Sequence, residues 1–346
     1  MSPHRSFFVR KAIHGAGLGL AGLAMACAVL WGVGLLYFAG PGGAQARTAG
    51  AILAALVGFA SLGALFAPAW RRAGMLAAVI MFLALLGWWS GLRPSNERQW
   101  APEVERLAHA TVAGEMVTVH NIRNFDYRTE TDFTPRYYDR TFDLRRLDSV
   151  DLVAVYWMGP AVAHLFVTFG FGDDHLAVSI EARKERGEGY STLGGFFRQY
   201  ELVYVVGDER DLIRLRTNYR KDPPEDVYLM RLKGPAGSAR RLFLEYMDGI
   251  NGLKSRPQFY NTLLTNCTTG IMLHASSNPD PLAYSWKVLA SGYAPEYVYD
   301  SGRLIGSLPF AELFERSRVN AAAQAADAAA DFSRRIRVGR PGMEPG

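Results

Sequence analysis

The chain has 346 residues, a formal net charge of +5, 49% hydrophobic residues and 21% charged residues. Nearly all the long apolar runs precede Leu92, whereas the sequence from Arg93 onward is mixed, charged and aromatic, so one soluble fold does not account for the whole. Basic residues interleave with acids, and there is no long Lys/Arg block, zinc-ligand spacing or Gly-rich phosphate loop. This argues against a nucleic-acid partner and against a metal or other cofactor.

Three apolar segments come first, from Ile13 to Ala39, Thr48 to Ala69 and Ala73 to Leu92. Each is close to the ~20 residues that cross ~30 Å of hydrocarbon as a helix. Arg5, Arg10 and Lys11 resemble the positive end of a signal peptide. The apolar stretch that follows them, however, exceeds the roughly 7–15 residues of such a leader, and two more spans come after it. The expectation is therefore a cytoplasmic tail over residues 1–12 and three transmembrane helices within residues 13–92. Arg71 and Arg72 lie between the second and third spans, against Arg47 alone between the first and second. The positive-inside rule then sets the N-terminus in the cytoplasm and everything after Arg93 outside the cytoplasmic membrane. Trp88, Trp89 and Trp100 stand where an interfacial aromatic belt belongs.

Beyond the spans, Gln99 to Leu107 has the pattern of a short amphipathic helix. Alternating, β-branched and aromatic runs follow at Met116–Phe125, Tyr137–Leu144, Val150–Trp157, Ala161–Phe171, His175–Ala182, Glu201–Val206 and Asp226–Leu232, with a hairpin signal at Gly172-Asp173-Asp174. Arg240–Leu253 carries Leu242, Phe243, Tyr246, Met247 and Ile250 on one helical face. Thr265-Asn266 then reads as the N-cap of a helix from Cys267 to about Ala275. An Ala-rich, weakly helical stretch from Asn320 to Ala330 precedes an expected disordered tail at Val338–Gly346. The fold class expected is α+β, with an antiparallel sheet over residues 93–318 and a separate tail over 319–346.

The two cysteines, Cys27 in the first span and Cys267, fall in different compartments and cannot pair. Cys27 has the plain reading of a small lipid-buried residue. Cys267 opens a predicted helix, where free N–H groups and the helix dipole favour a thiolate and can hold a developing oxyanion. A nucleophilic thiol needs a base, usually histidine. His4 and His14 lie on the cytoplasmic side or in the first span, His274 is too far along the same helix, and His109 and His175 fall at the end of the exit helix and in a turn. That leaves His120 and His164. His164 interrupts the apolar run Ala161–Val167, where a polar ring should have a buried partner. Taken alone, the pair is equally consistent with an inert thiol and a core histidine.

Several longer stretches are more specific: HNIRNFDYRTETDFTPRYYDRTFDL (120–144), AVAHLFVTFGF (161–171), SIEARKERGE (179–188), FRQYELVYVVGDERDLIRLRTNYRK (197–221) and FYNTLLTNCTTGI (259–271). Through them, from Trp100 to Ser317, the chain resembles the Lnb N-terminal periplasmic domain family. The resemblance implies a circularly permuted papain-like (NlpC-like) fold, in which a strand histidine precedes a helix-start cysteine. It also implies a Cys–His dyad that moves an acyl chain within a diacylated lipoprotein, from glycerol to the N-terminal amine. On that basis Cys267 would be the nucleophile and acyl-thioester carrier, and His164 the base. Glu181 would be the third polar group, unless it serves as a structural partner of Arg183 or Arg186. Asn266 and Thr268 would support the oxyanion, with Asn121 another candidate beside His164. The expected activity is a membrane-tethered acyltransferase working on membrane lipids and diacylated lipoproteins. The alternatives are a papain-type amidase or peptidase of the cell envelope, and a non-catalytic lipid- or peptide-binding protein. Three spans ahead of the domain depart from the arrangement the family name implies, in which the domain precedes its membrane segment, and leave donor and acceptor open.

Overall fold

The computed structural model describes residues 3–343 and divides into two units. One comprises residues 1–94 together with 191–199, and the other residues 95–190 and 200–346.

In the first unit, helices α1 (Pro3–Ala39), α2 (Ala44–Ala64) and α3 (Arg71–Gly91) are each long and apolar enough to cross a membrane. Their close packing depends on small residues: a Cβ on Gly58 would come within 2.4 Å of Val29, and one on Gly74 within 2.6 Å of Ala64. Such contacts are how helices associate when hydrocarbon is the solvent and burial alone gives no drive. Met25, Leu65 and Ala78 meet at the centre of the bundle, while Leu30, Leu53, Phe59 and Leu83 point outward. The helices match the expected spans to within a few residues, apart from α1, which starts earlier.

The second unit is an α+β domain. Its strands are β1 (His109–Ala113), β2 (Met116–Arg123), the two-residue β3 (Asp126–Tyr127) and β4 (Phe133–Thr134), β5 (Tyr137–Asp143), β6 (Ser149–Tyr156), β7 (Ala163–Phe171), β8 (Asp174–Arg183), β9 (Glu201–Asp208) and β10 (Asp226–Arg231). The main sheet runs in the order β1-β2-β9-β8-β7-β6-β10, with β5 also paired to β2. All its pairings are antiparallel except that of β2 with β9, which is parallel at Arg123–Gly207.

Helix α5 (Ala236–Ser255) covers one face through Phe243, Tyr246, Met247 and Ile250. The other face is covered by α4 (Glu209–Arg214) and by the C-terminal residues Val319, Ala323, Phe332, Ile336 and Met343. Burial on both faces explains why the central strands read as near-continuous apolar runs.

Two expectations change here. Gln99–Leu107 is not a helix and holds only a 3-10 turn at Pro102–Val104. Its backbone is spent on the end of β8 instead: Ala101 N–H donates to the Lys184 carbonyl, and Gln99 O accepts from Arg186 N–H. The tail is not loose either. Arg337 donates to both Asp151 (2.8 Å) and Glu209 (2.7 Å), and Met343 is buried, so residues 319–343 complete the domain core. Residues 344–346 lie outside the described residues.

The feature that positions the site is the β7–β8 hairpin. Its tight turn is closed by the pair Phe171–Asp174, with Gly172 at φ +70°, a conformation glycine adopts at little cost. The ladder then runs only as far as Val167–Val178. Beyond that pair β7 stays with β6 to Ala163, while β8 stays with β9 to Arg183. The sheet therefore parts between them. The register, if continued, would set His164 opposite Glu181.

Candidate active site

Helix α6 (Cys267–Ala275) begins at this opening. Asn266 caps it: its Oδ1 accepts from Thr269 N–H at 2.9 Å, and the Thr269 hydroxyl accepts from Asn266 N–H at 2.9 Å. The asparagine Nδ2 also donates to the Thr262 carbonyl at 2.6 Å, so this side chain is fully used in shaping the turn. Gly270 lets the helix sit close to β8, since a Cβ there would come within 2.4 Å of Ile180. Cys267 is thereby held in the first turn, half-buried, with its sulfur 3.8 Å from the Thr268 hydroxyl. The N–H groups of Cys267 and Thr268, at the first two positions of the helix, are left over by its ladder, as at any helix start.

His164 lies at the β7 side of the opening. Its Nε2 is 2.7 Å from Ser179 Oγ and 3.2 Å from Glu181 Oε1. Ser179 in turn donates to Glu181 Oε1 at 2.7 Å, so the serine hydroxyl accepts from the ring and Nε2 carries a hydrogen. Cys267 and His164 also act on each other electrostatically, each favouring the charged form of the other. Where β8 has left the ladder, the Leu165 N–H also favours the thiolate of Cys267. Arg216, buried and stacked against Phe166 with 5.1 Å to the ring centroid, donates to the same Glu181 oxygen at 2.9 Å.

The electrostatics follow from this arrangement. Burial works against charge on every member, but the pairing outweighs it. For His164, Glu181 and Cys267 together overcome desolvation and push the pKa up to about 9. For Cys267, burial alone would raise the thiol. The imidazolium, the Leu165 N–H and the Thr268 hydroxyl bring it below the ordinary value. Burial likewise opposes ionisation of Glu181, yet His164, Arg216 and Ser179 hold its carboxyl well below the usual range. The neighbours therefore favour the thiolate of Cys267, the imidazolium of His164 and the carboxylate of Glu181, the last also held by Arg216.

The remaining sequence candidates are elsewhere. Asn121 is on β2, bonded to the Leu107 carbonyl and to Asp139, with β9 between its strand and β8. His120 pairs with Asp139 at 2.7 Å and stacks on His109, which is in β1 rather than at a helix end. His274 bonds the Tyr204 hydroxyl at 2.6 Å, and burial lowers its pKa to about 4. Arg183 turns away from Glu181 to the carbonyls of Val104 and Glu105. Ser179 and Arg216 escape sequence reasoning. Both fall inside the resembling stretches, but nothing in their neighbours' sequence points to a histidine.

A strand histidine thus precedes a helix-start cysteine, with a carboxylate behind the ring, in an α+β domain, the order that the family resemblance implies. The Lnb N-terminal periplasmic domain family model matches residues 133–292, which span Cys267, His164, Ser179, Glu181 and Arg216. The match supports the resemblance to that family, and the matched region follows three candidate membrane spans in the chain. The matched region is narrower than the Trp100–Ser317 resemblance. No curated protein and no solved structure matches the chain.

Proposed function

We propose that the protein is a multi-pass protein of the bacterial cytoplasmic membrane whose periplasmic domain is a thiol-dependent acyltransferase. The observation that supports this most is the Cys267–His164–Glu181 constellation at the parting of β7 and β8, in which thiol and imidazole each favour the charged form of the other. In the reading we favour, Cys267 Sγ attacks the carbonyl carbon of a lipid ester. The carbon–oxygen bond breaks, and the leaving alcohol takes the proton from His164. The N–H groups of Cys267 and Thr268 are the nearest donors for the tetrahedral oxyanion. Neutral His164 then removes a proton from an attacking amine, an amide forms, and the thiolate leaves. One ester and one amine give one amide and one alcohol, with the enzyme regenerated.

An acyl donor also suits the surroundings of the thiol. Leu263 and Leu264, in the turn immediately before α6, are 45% and 77% exposed, and Trp286 and Leu289, in the turn that packs on α6, are exposed as well. Apolar side chains left bare beside a reactive group fit an acyl chain better than a polar peptide.

The test is intact-mass analysis of detergent-purified protein incubated with a diacylated lipopeptide. Acyl transfer gives a mass increase of one acyl chain on Cys267, removed by hydroxylamine and absent in Cys267→Ala. Turnover of soluble peptides without an acyl adduct would instead make the protein a hydrolase. Neither adduct nor turnover would make it a binding protein.

A further inference from the structure

Residues 191–199 interrupt the soluble domain in sequence but belong to the membrane unit. The chain leaves the domain at Tyr190, runs through Ser191–Gln199 and returns at Tyr200. Within the membrane unit this segment makes specific contacts. The Phe197 ring stacks on Phe38 in the last turn of α1, with centroids 5.5 Å apart and planes 13° from parallel. It occupies a notch that exists because residue 34 is glycine, since a Cβ there would come within 2.5 Å of the Phe197 ring. The next residue, Arg198, places its guanidinium 3.8 Å from the centroid of Trp89 near the end of α3 and donates to the Trp89 carbonyl at 2.9 Å. A cation is favoured at that helix end, where carbonyls lack partners within the helix. Arg198 has φ +62°, a backbone conformation uncommon for a residue with a side chain, which surrounding contacts must hold in place.

We infer that Ser191–Gln199 is a second membrane anchor, a docking segment whose partner is the C-terminal ends of α1 and α3. With three crossings and a cytoplasmic N-terminus, both of those ends lie on the same side as the soluble domain, which is where an inserted loop of that domain can reach them. Aromatic rings followed by an arginine are also the side chains that suit the boundary between hydrocarbon and water. The two domain residues that flank the segment are tied to each other and to the chain before α6. Tyr190 and Tyr200 stack at 6.0 Å, and the Tyr190 hydroxyl is 3.4 Å from that of Tyr260, in the stretch leading into Cys267.

The test uses the full chain in membranes, with a protease site inserted between Pro94 and Ser95. After cleavage at high salt, the fragment from Ser95 onward stays with the membrane. In Phe197→Ser/Arg198→Ala its released-to-bound ratio rises about tenfold or more, the equivalent of about 1.4 kcal/mol. Release with the segment unaltered, or equal retention in the double variant, overturns the inference. A second measurement does not depend on the folding of that double variant. Phe38→Cys/Phe197→Cys in a Cys27→Ser/Cys267→Ala background is treated with a short bis-maleimide before cleavage. The two fragments then migrate as one species, and separate migration overturns the inference. Neither readout depends on enzymatic activity.

Discussion

At the residue scale, the chemistry turns on one oxygen. Glu181 Oε1 accepts from Ser179 and Arg216 and lies 3.2 Å from the His164 ring, so its charge is what keeps that ring protonated against burial. The folded-state value for His164, about 9, lies above the ordinary 6.5. Stability from the charged ring is therefore complete below about 6.5 and is lost as pH rises through about 9. Formation of the acyl-thioester should follow the same upper limb, because the leaving alcohol needs the imidazolium proton. Glu181→Gln removes the charge and should bring that limb down by about one to two pH units. An unchanged upper limb in a pH–rate profile would show that Glu181 does not set the charge on His164. Cys267 and His164 were visible in the sequence because each is locally anomalous, a thiol at a helix start and an imidazole in an apolar strand. Ser179 and Arg216 are ordinary in their own contexts, and their role arises only from the parting of two strands.

Among the elements, α6 shows how far local rules reach. Its start at Cys267 and end at Ala275 follow from the sequence because the capping signals are local, with Asn266 and Thr269 exchanging hydrogen bonds across three residues. Asn266→Ala should cost about 1 kcal/mol and lower the melting temperature by about 2–4 °C in a domain of this size. It should also slow alkylation of Cys267 by loosening the first turn, as scanning calorimetry and iodoacetamide kinetics would show. A melting temperature and alkylation rate both equal to wild type would remove the cap from the account. The seven strands that read as alternating or apolar runs were also recovered with small errors at their ends. Gln99–Leu107 misled because its helical spacing is real, yet its N–H groups find better partners on a strand distant in sequence. The C-terminal residues misled in the other direction. Their composition is poor in large apolar groups, but Phe332, Ile336 and Met343 suffice to cover a sheet face when the Arg337 ion pairs fix the chain.

For the whole molecule, an apolar three-helix unit is joined to an α+β domain that carries Cys267 and His164, and the proposed function depends on which side of the membrane that thiol faces. The split in composition made the membrane unit legible, and the arginine distribution gave an orientation. The insertion of residues 191–199 into the membrane unit was not legible, because a nine-residue loop carries no hydropathy signal of its own. The most direct measurement is labelling of intact spheroplasts at pH 6 with a membrane-impermeant thiol reagent, followed by peptide mapping. Cys267 should react, Cys27 should not, and His164→Ala should lower the Cys267 rate at that pH severalfold or more. Labelling of Cys267 only after permeabilisation, or only near the pKa of about 8.5 of an unperturbed thiol, would contradict an outward-facing, imidazole-paired thiolate.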